Sequence, residues 1–279
     1  MIVARIFPKD SEHYNRFQKY FSNLTQIIHT QGWIQFFSIW TLTVSGIVVS
    51  MDISDRYVYW EWGGWFIGFI KLVVITILYF TFLKPKYIWL VGSRLLNSKE
   101  ILLHTIVAYF FLLFGYFDMQ KLLQAKVLFN ILNGFIVLLP YVLAFVSCLL
   151  IFQFTIVLDK VKGVWNNFDW NKKIEYLSAS VLLMLISIIL GIYLEDPVIS
   201  TAGAVSIPFS LIALIWPNHV RHLQRARFYP LFIFAMFACV RAPWFLIPLA
   251  VLFVLLRTIN YFKYGIIYPS FGVDFLEED

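Results

Sequence analysis

Apolar residues in this chain come in blocks long enough to cross a bilayer, and the polar residues are gathered in short segments between them. A hydrocarbon core of about 30 Å takes about 20 helical residues. The runs at 33–51, 64–83, 101–117, 134–158, 176–194 and 198–216 approach or exceed that length. None shows the period-two alternation of a membrane barrel, and IVLLPYVLAFVSCLLIF is apolar throughout. The pattern predicts an all-α, polytopic integral membrane protein.

Two stretches leave the span count open. Residues 127–158 exceed one crossing, so the fourth span is placed at 134–158, kinked at Pro140, behind a lead-in helix carrying Asn130 and Asn133. Residues 218–264 begin with the basic run NHVRHLQRARFYP and continue through an apolar segment, 231–240, to Arg241-Ala242-Pro243-Trp244. A second apolar segment then runs to Leu256. The residue before a proline is pushed away from the helical region. One kinked helix or a hairpin turning at 241–243 would satisfy this, giving seven or eight crossings; the first arm of the hairpin is short for a crossing even if it begins at Ala226.

At the other end Tyr14, Phe17, Phe21, Leu24 and Ile28 recur at helical spacing. They predict an amphipathic helix, lying in the membrane interface or packed on the protein's own loops. The expected organisation is a cytoplasmic amphipathic segment, 1–31, a transmembrane domain, 32–264, and a short acidic tail, 265–279.

Composition agrees: 61% of residues are hydrophobic and 14% charged, against about 45–50% and about 25% in soluble domains. The net charge of +6 could suggest nucleic acid, but the Lys and Arg flank apolar runs, where anionic headgroups lie. Membrane lipids and other membrane subunits are the expected partners; nucleic acid is not. Alternate inter-span segments hold fifteen Lys and Arg against three in the others. The positive-inside rule then places the N-terminus in the cytoplasm, of a prokaryotic inner membrane or a plasma membrane.

All sixteen Asp and Glu fall in loops, at helix ends or in the tail. Proton- and sodium-coupled carriers commonly place carboxylates inside the membrane. No HExxH, GxSxG or Walker A pattern occurs, so the common hydrolase chemistries have no residues to stand on. Glu61, Glu195 and Asp196 could still fold back into a cavity. Cys148 and Cys239 lie in apolar runs and read as small hydrophobes. No cofactor or metal is expected.

Lys71 is the ionisable group nearest the middle of a clear span. It would face a polar cavity and bind an anionic headgroup or substrate, or reach along its alkyl stem to an interface. Arg241 is the second binding candidate, since a guanidinium holds phosphate or carboxylate bidentately. His219, His222, Arg221, Arg225 and Arg227 form a cationic collar suited to anionic lipid. His104 stands alone near one end of a span.

The sequence alone favours a non-enzymatic accessory or scaffold subunit whose basic cytoplasmic loops meet anionic lipid or a partner. A permease for an anionic or lipid-like substrate, using Lys71 and Arg241, is the first alternative. An enzyme acting on lipid-linked substrates is the second, and needs His104, Glu61 or Asp196 to converge with an arginine.

Overall fold

The computed structural model describes residues 2–92, 94–118, 127–153, 156–159, 164–167 and 172–265. The acidic tail beyond Gly265 and residues 160–163 and 168–171 of the lysine-rich 159–175 loop lie outside them. The described chain is mostly helical, in the order α1 (Ile2–Ile6), α2 (Glu12–Gln31), α3 (Trp33–Ser50), α4 (Trp65–Leu78), α5 (Ser98–Tyr116), α6 (Val127–Ile151), α7 (Lys173–Tyr193), α8 (Pro197–Ile215), α9 (Val220–Arg241) and α10 (Leu246–Tyr264). Among the described residues, six helices are long and apolar enough to cross a membrane: α4 with its extension to Leu83, and α5, α6, α7, α8 and α9. Gln35–Ser50 of α3 and the stretch Pro243–Ile259 are apolar but shorter. The protein is a multi-pass helical membrane protein.

The chain divides into two compact units, Ile34–Phe245 and the paired termini Met1–Trp33 with Leu246–Asp279. In the terminal unit α2 packs on α10. Tyr14 donates from its hydroxyl to the carbonyl of Tyr261 at 3.2 Å, and the Tyr261 hydroxyl donates to Phe7 O at 2.5 Å. Phe21 stacks on Phe262 with centroids 4.9 Å apart. Tyr14, Phe17 and Phe21 of α2 thus pack on the aromatic rings of α10, while Ile28 lies outside the residues whose side chains are described. Burial there raises the Tyr14 phenol above its usual pKa.

In the larger unit α6, α7, α8 and α9 pack each on the next. Small residues set the spacing: a Cβ on Gly191 would meet Ile199, and one on Gly203 would meet Ile188. Close approach of this kind is how helices associate in lipid, where no hydrophobic force separates helix from tail. The α3–α5 crossing is tighter still. A Cβ on Gly46 would strike the Leu112 carbonyl, and one on Gly115 the Thr43 carbonyl.

Three expectations need correction. First, α6 is continuous through Pro140, starts at Val127 and ends at Ile151, not Leu158. Its last expected turns instead enter a two-stranded antiparallel hairpin, β1 (Ile156–Asp159) and β2 (Val164–Asn167). Gln153 marks the break; its side chain accepts from Leu96 N–H at 2.6 Å and donates to Leu149 O.

Second, the basic run is helical. The helix that carries it, α9, starts at Val220 and reaches Arg241, twenty-two residues, so this arm is long enough to cross. It is separated from α10 by a 3-10 turn at Pro243–Phe245. Third, the first half of 198–216 is filled with Ser, Thr, Gly and Ala, which permit close helix approach and mark it as the candidate for the most buried span, but α3 holds more of the core: Ile39, Val44 and Val48 are inaccessible. Its Ser38, Thr41 and Thr43 are buried too, each hydroxyl donating to a carbonyl one turn back.

Candidate functional site

Asp196 is the centre of a buried polar cluster inside the larger unit. It sits in the Leu194–Asp196 turn between α7 and α8 and caps α8. Its Oδ1 accepts from the N–H groups of Val198 at 3.0 Å and Ile199 at 3.3 Å. Pro197 follows as the first helical residue, where a missing N–H costs nothing. A capping aspartate at a span end is ordinarily wet. This one is 2% exposed.

Two side chains from distant elements close over it. Arg56, on the short 3-10 turn Asp55–Tyr57, donates from Nη1 to Asp196 Oδ2 at 2.8 Å, with both side chains buried. Tyr141 of α6 donates its hydroxyl to the same carboxylate, 3.2 and 3.1 Å from its two oxygens. Ser187 Oγ donates to the Pro140 carbonyl, so Tyr141 lies about level with Ser187, six residues before the end of α7. At 1.5 Å per residue that is about 9 Å inside the helix end. Tyr141 therefore reaches from inside the bundle to the charge pair at the helix ends, and of the three carboxylates singled out as able to fold inward, Asp196 is the one found buried.

Arg241 ends α9 beside this pair. It is 3% exposed, and its guanidinium lies over the Tyr59 ring at 5.5 Å. The charges of Arg56, Asp55 and Glu61 act on it, the two carboxylates belonging to exposed residues. Its Nε and Nη1 are buried and have no acceptor among the described residues. The same holds for Arg56 Nε and Trp244 Nε1. Trp244 itself is fully buried against Gly68 and Phe69. The whole segment from Arg241 to Phe245 is buried, so the proline break is an interior feature. The loop opposite is pinned to it by Trp60 N–H donating to Val240 O at 3.1 Å, with Trp60 at φ 65°.

Lys71 has a different environment. Its Nζ donates to the carbonyls of Gly115 at 2.6 Å and Phe117 at 2.9 Å, the open C-terminus of α5. A cation there satisfies orphan carbonyls and complements the helix dipole. Lys71 and Arg241 thus have separate partners. The cationic collar also divides. Arg221 and Arg225 are exposed, one turn apart on α9. Arg227 is half-buried with its guanidinium 4.9 Å from the Phe152 centroid. His219 and His222 place their rings 4.3 Å apart. Among the described residues no three of His, Cys, Asp and Glu gather as a metal site.

His104 holds the loop after α4. Its Nδ1 donates to Glu100 O at 2.7 Å while Nε2 accepts from Leu90 N–H at 2.8 Å. That pairing requires the neutral Nδ1–H tautomer. The ring stacks on buried Trp89. His104 is therefore not gathered with Asp196 and Arg56.

A cleft of about 420 Å³, its open mouth included, lies between α3, α6, α8 and α9. Tyr141 and Ile199, both bonded to Asp196, are among its lining residues. The chain matches no protein-family model, no curated protein and no solved structure. Its function is read from these residues alone.

Proposed function

We propose that this multi-pass membrane protein is a permease-type protein that takes an anionic substrate, a carboxylate or phosphate, onto Arg241. One observation carries the reading: Arg241 is buried with two N–H groups that find no acceptor among the described residues, while the carboxylate beside it is committed to Arg56, Tyr141 and the α8 N-terminus. A buried charge whose donors lack acceptors costs several kcal/mol. A scaffold has no reason to keep one; a binding site for an anion does.

In this reading α3 and the apolar part of α10 bring the crossings to eight and the N-terminus is cytoplasmic, which the loop charges support. Arg241 then faces the outer side. Arg221 and Arg225, about 24–30 Å away along α9, meet anionic headgroups on the inner side. Lys71 serves the fold.

The test is uptake of radiolabelled organic anions, carboxylates and phosphate esters, by proteoliposomes of the purified chain. Uptake abolished by Arg241→Ala and retained in Lys71→Met is expected. If wild-type vesicles take up no anion and Arg241→Ala still assembles with the same membrane partners, the accessory-subunit reading replaces this one. Single cysteines at Arg221 and Tyr59, labelled from opposite faces by a membrane-impermeant reagent, test the orientation.

A further inference from the structure

Resting on the anion reading of Arg241, we infer that the substrate is an anionic amphiphile whose alkyl chain lies in the cleft between α3, α6, α8 and α9. The cleft borders the charged cluster through two shared residues. Tyr141 presents its ring to the cleft and its hydroxyl to Asp196. Ile199 lines the cleft with its side chain and donates its backbone N–H to the same carboxylate. Phe234 of α9 lines the cleft as well, and Arg241 follows it by seven residues. Seven residues are close to two helical turns, so Arg241 lies on the face of α9 that Phe234 presents to the cleft, about 10 Å further along.

The lining has the chemistry of a chain site. Leu42, Ala144, Phe145 and Leu231 supply apolar surface. The hydroxyls of Ser38 and Thr41 are turned back onto carbonyls of their own helix, leaving methylene and methyl groups outward. An apolar cleft bordering a charged cluster, in which Arg241 has two buried donors with no acceptor among the described residues, suits one charged group joined to one chain. A neutral lipid would leave Arg241 unanswered, and a free small anion would leave the cleft unused.

The experiment measures binding of dodecyl phosphate, inorganic phosphate and the uncharged dodecyl maltoside to the full chain in lipid nanodiscs by native mass spectrometry. Variants are Arg241→Ala and, to fill the cleft, Ala144→Phe and Ser45→Phe, each accepted only with a thermal transition near that of wild type. Dodecyl phosphate should bind, lose about 10- to 100-fold in affinity in Arg241→Ala, as for a lost charged hydrogen bond, and lose affinity in a cleft variant. Inorganic phosphate should bind far more weakly and ignore the cleft variants. If the two phosphates bind alike and filling the cleft changes neither, the chain site is wrong and the anion reading stands. If Arg241→Ala leaves both unchanged, both readings fall. Dodecyl maltoside binding as tightly as dodecyl phosphate would reduce the cleft to an apolar slot and overturn the inference.

Discussion

Arg56 and Asp196, 140 positions apart, meet at 2.8 Å in the interior of a membrane protein whose carboxylates all lie outside its apolar runs. The pair ties the loop between α3 and α4 to the N-terminus of α8. Removing one member of a buried pair strands the other, at a cost of about 3–5 kcal/mol. Arg56→Ala is expected to lower stability by that amount. Asp196→Ala should do the same and add about 1 kcal/mol for the lost cap. Equilibrium unfolding of the two single variants and the double variant should show the double losing less than the sum. Strict additivity would mean that the two side chains do not act on one another.

Lys71→Met should destabilise without touching substrate. Its ammonium answers the last carbonyls of α5, and a charged hydrogen bond of this kind contributes about 1.5–3 kcal/mol. Lys71→Arg keeps the charge and should recover part of the loss. Thermal unfolding reads both variants, and unchanged anion uptake in Lys71→Met separates a helix cap from a ligand.

Gly46 and Gly115 make a matched test of the α3–α5 crossing. Each would drive an added Cβ into the backbone of the other helix, and backbone yields less readily than a side chain. Gly46→Ala and Gly115→Ala should each cost about 2–3 kcal/mol, the upper range for overpacking, and reduce the yield of folded protein. Gly63, with nothing within 4 Å of the same position and a φ that any residue can adopt, should accept Ala with a change below about 0.5 kcal/mol. Equal stability of all three variants would show that α3 and α5 can part without penalty.

The membrane class and most spans were legible because apolar length alone carries them: 176–194 and 198–216 are α7 and α8 within a few residues. Length could not end α6, since Ile156-Val157-Leu158 is as apolar in a strand as in a helix. Nor could it find Asp196 as a centre. Glu-Asp-Pro between two spans reads as a surface turn, and only the fold brings Arg56 and Tyr141 onto it. Asp196 was legible as a carboxylate that could fold inward, and Arg241 as a guanidinium beside a break, but their neighbourhood was not. The signal available and unused was the row Gln35, Ser38, Thr41, Thr43 and Ser45 inside an apolar run. Hydroxyls repeating on a span mark a helix surrounded by protein, and α3 is one.

Arg241→Met is the prediction that most directly separates function from fold. In the absence of an anion, the buried guanidinium has an aromatic face at 5.5 Å and no acceptor for Nε or Nη1 among the described residues. Met keeps much of the volume and removes the charge, and replacing buried charge by apolar groups of similar size is often stabilising by about 1–4 kcal/mol. Ligand-free Arg241→Met should therefore melt at a higher temperature than wild type. Adding dodecyl phosphate should reverse the order, since a ligand that binds only the folded state stabilises it in proportion to the logarithm of its concentration over Kd. Wild type should gain and the variant should not. A residue that weakens the empty protein and strengthens the loaded one is kept for what it binds. If Arg241→Met instead melts lower with and without the anion, the guanidinium is a structural member of the Arg56–Asp196 cluster, and the site must be sought elsewhere.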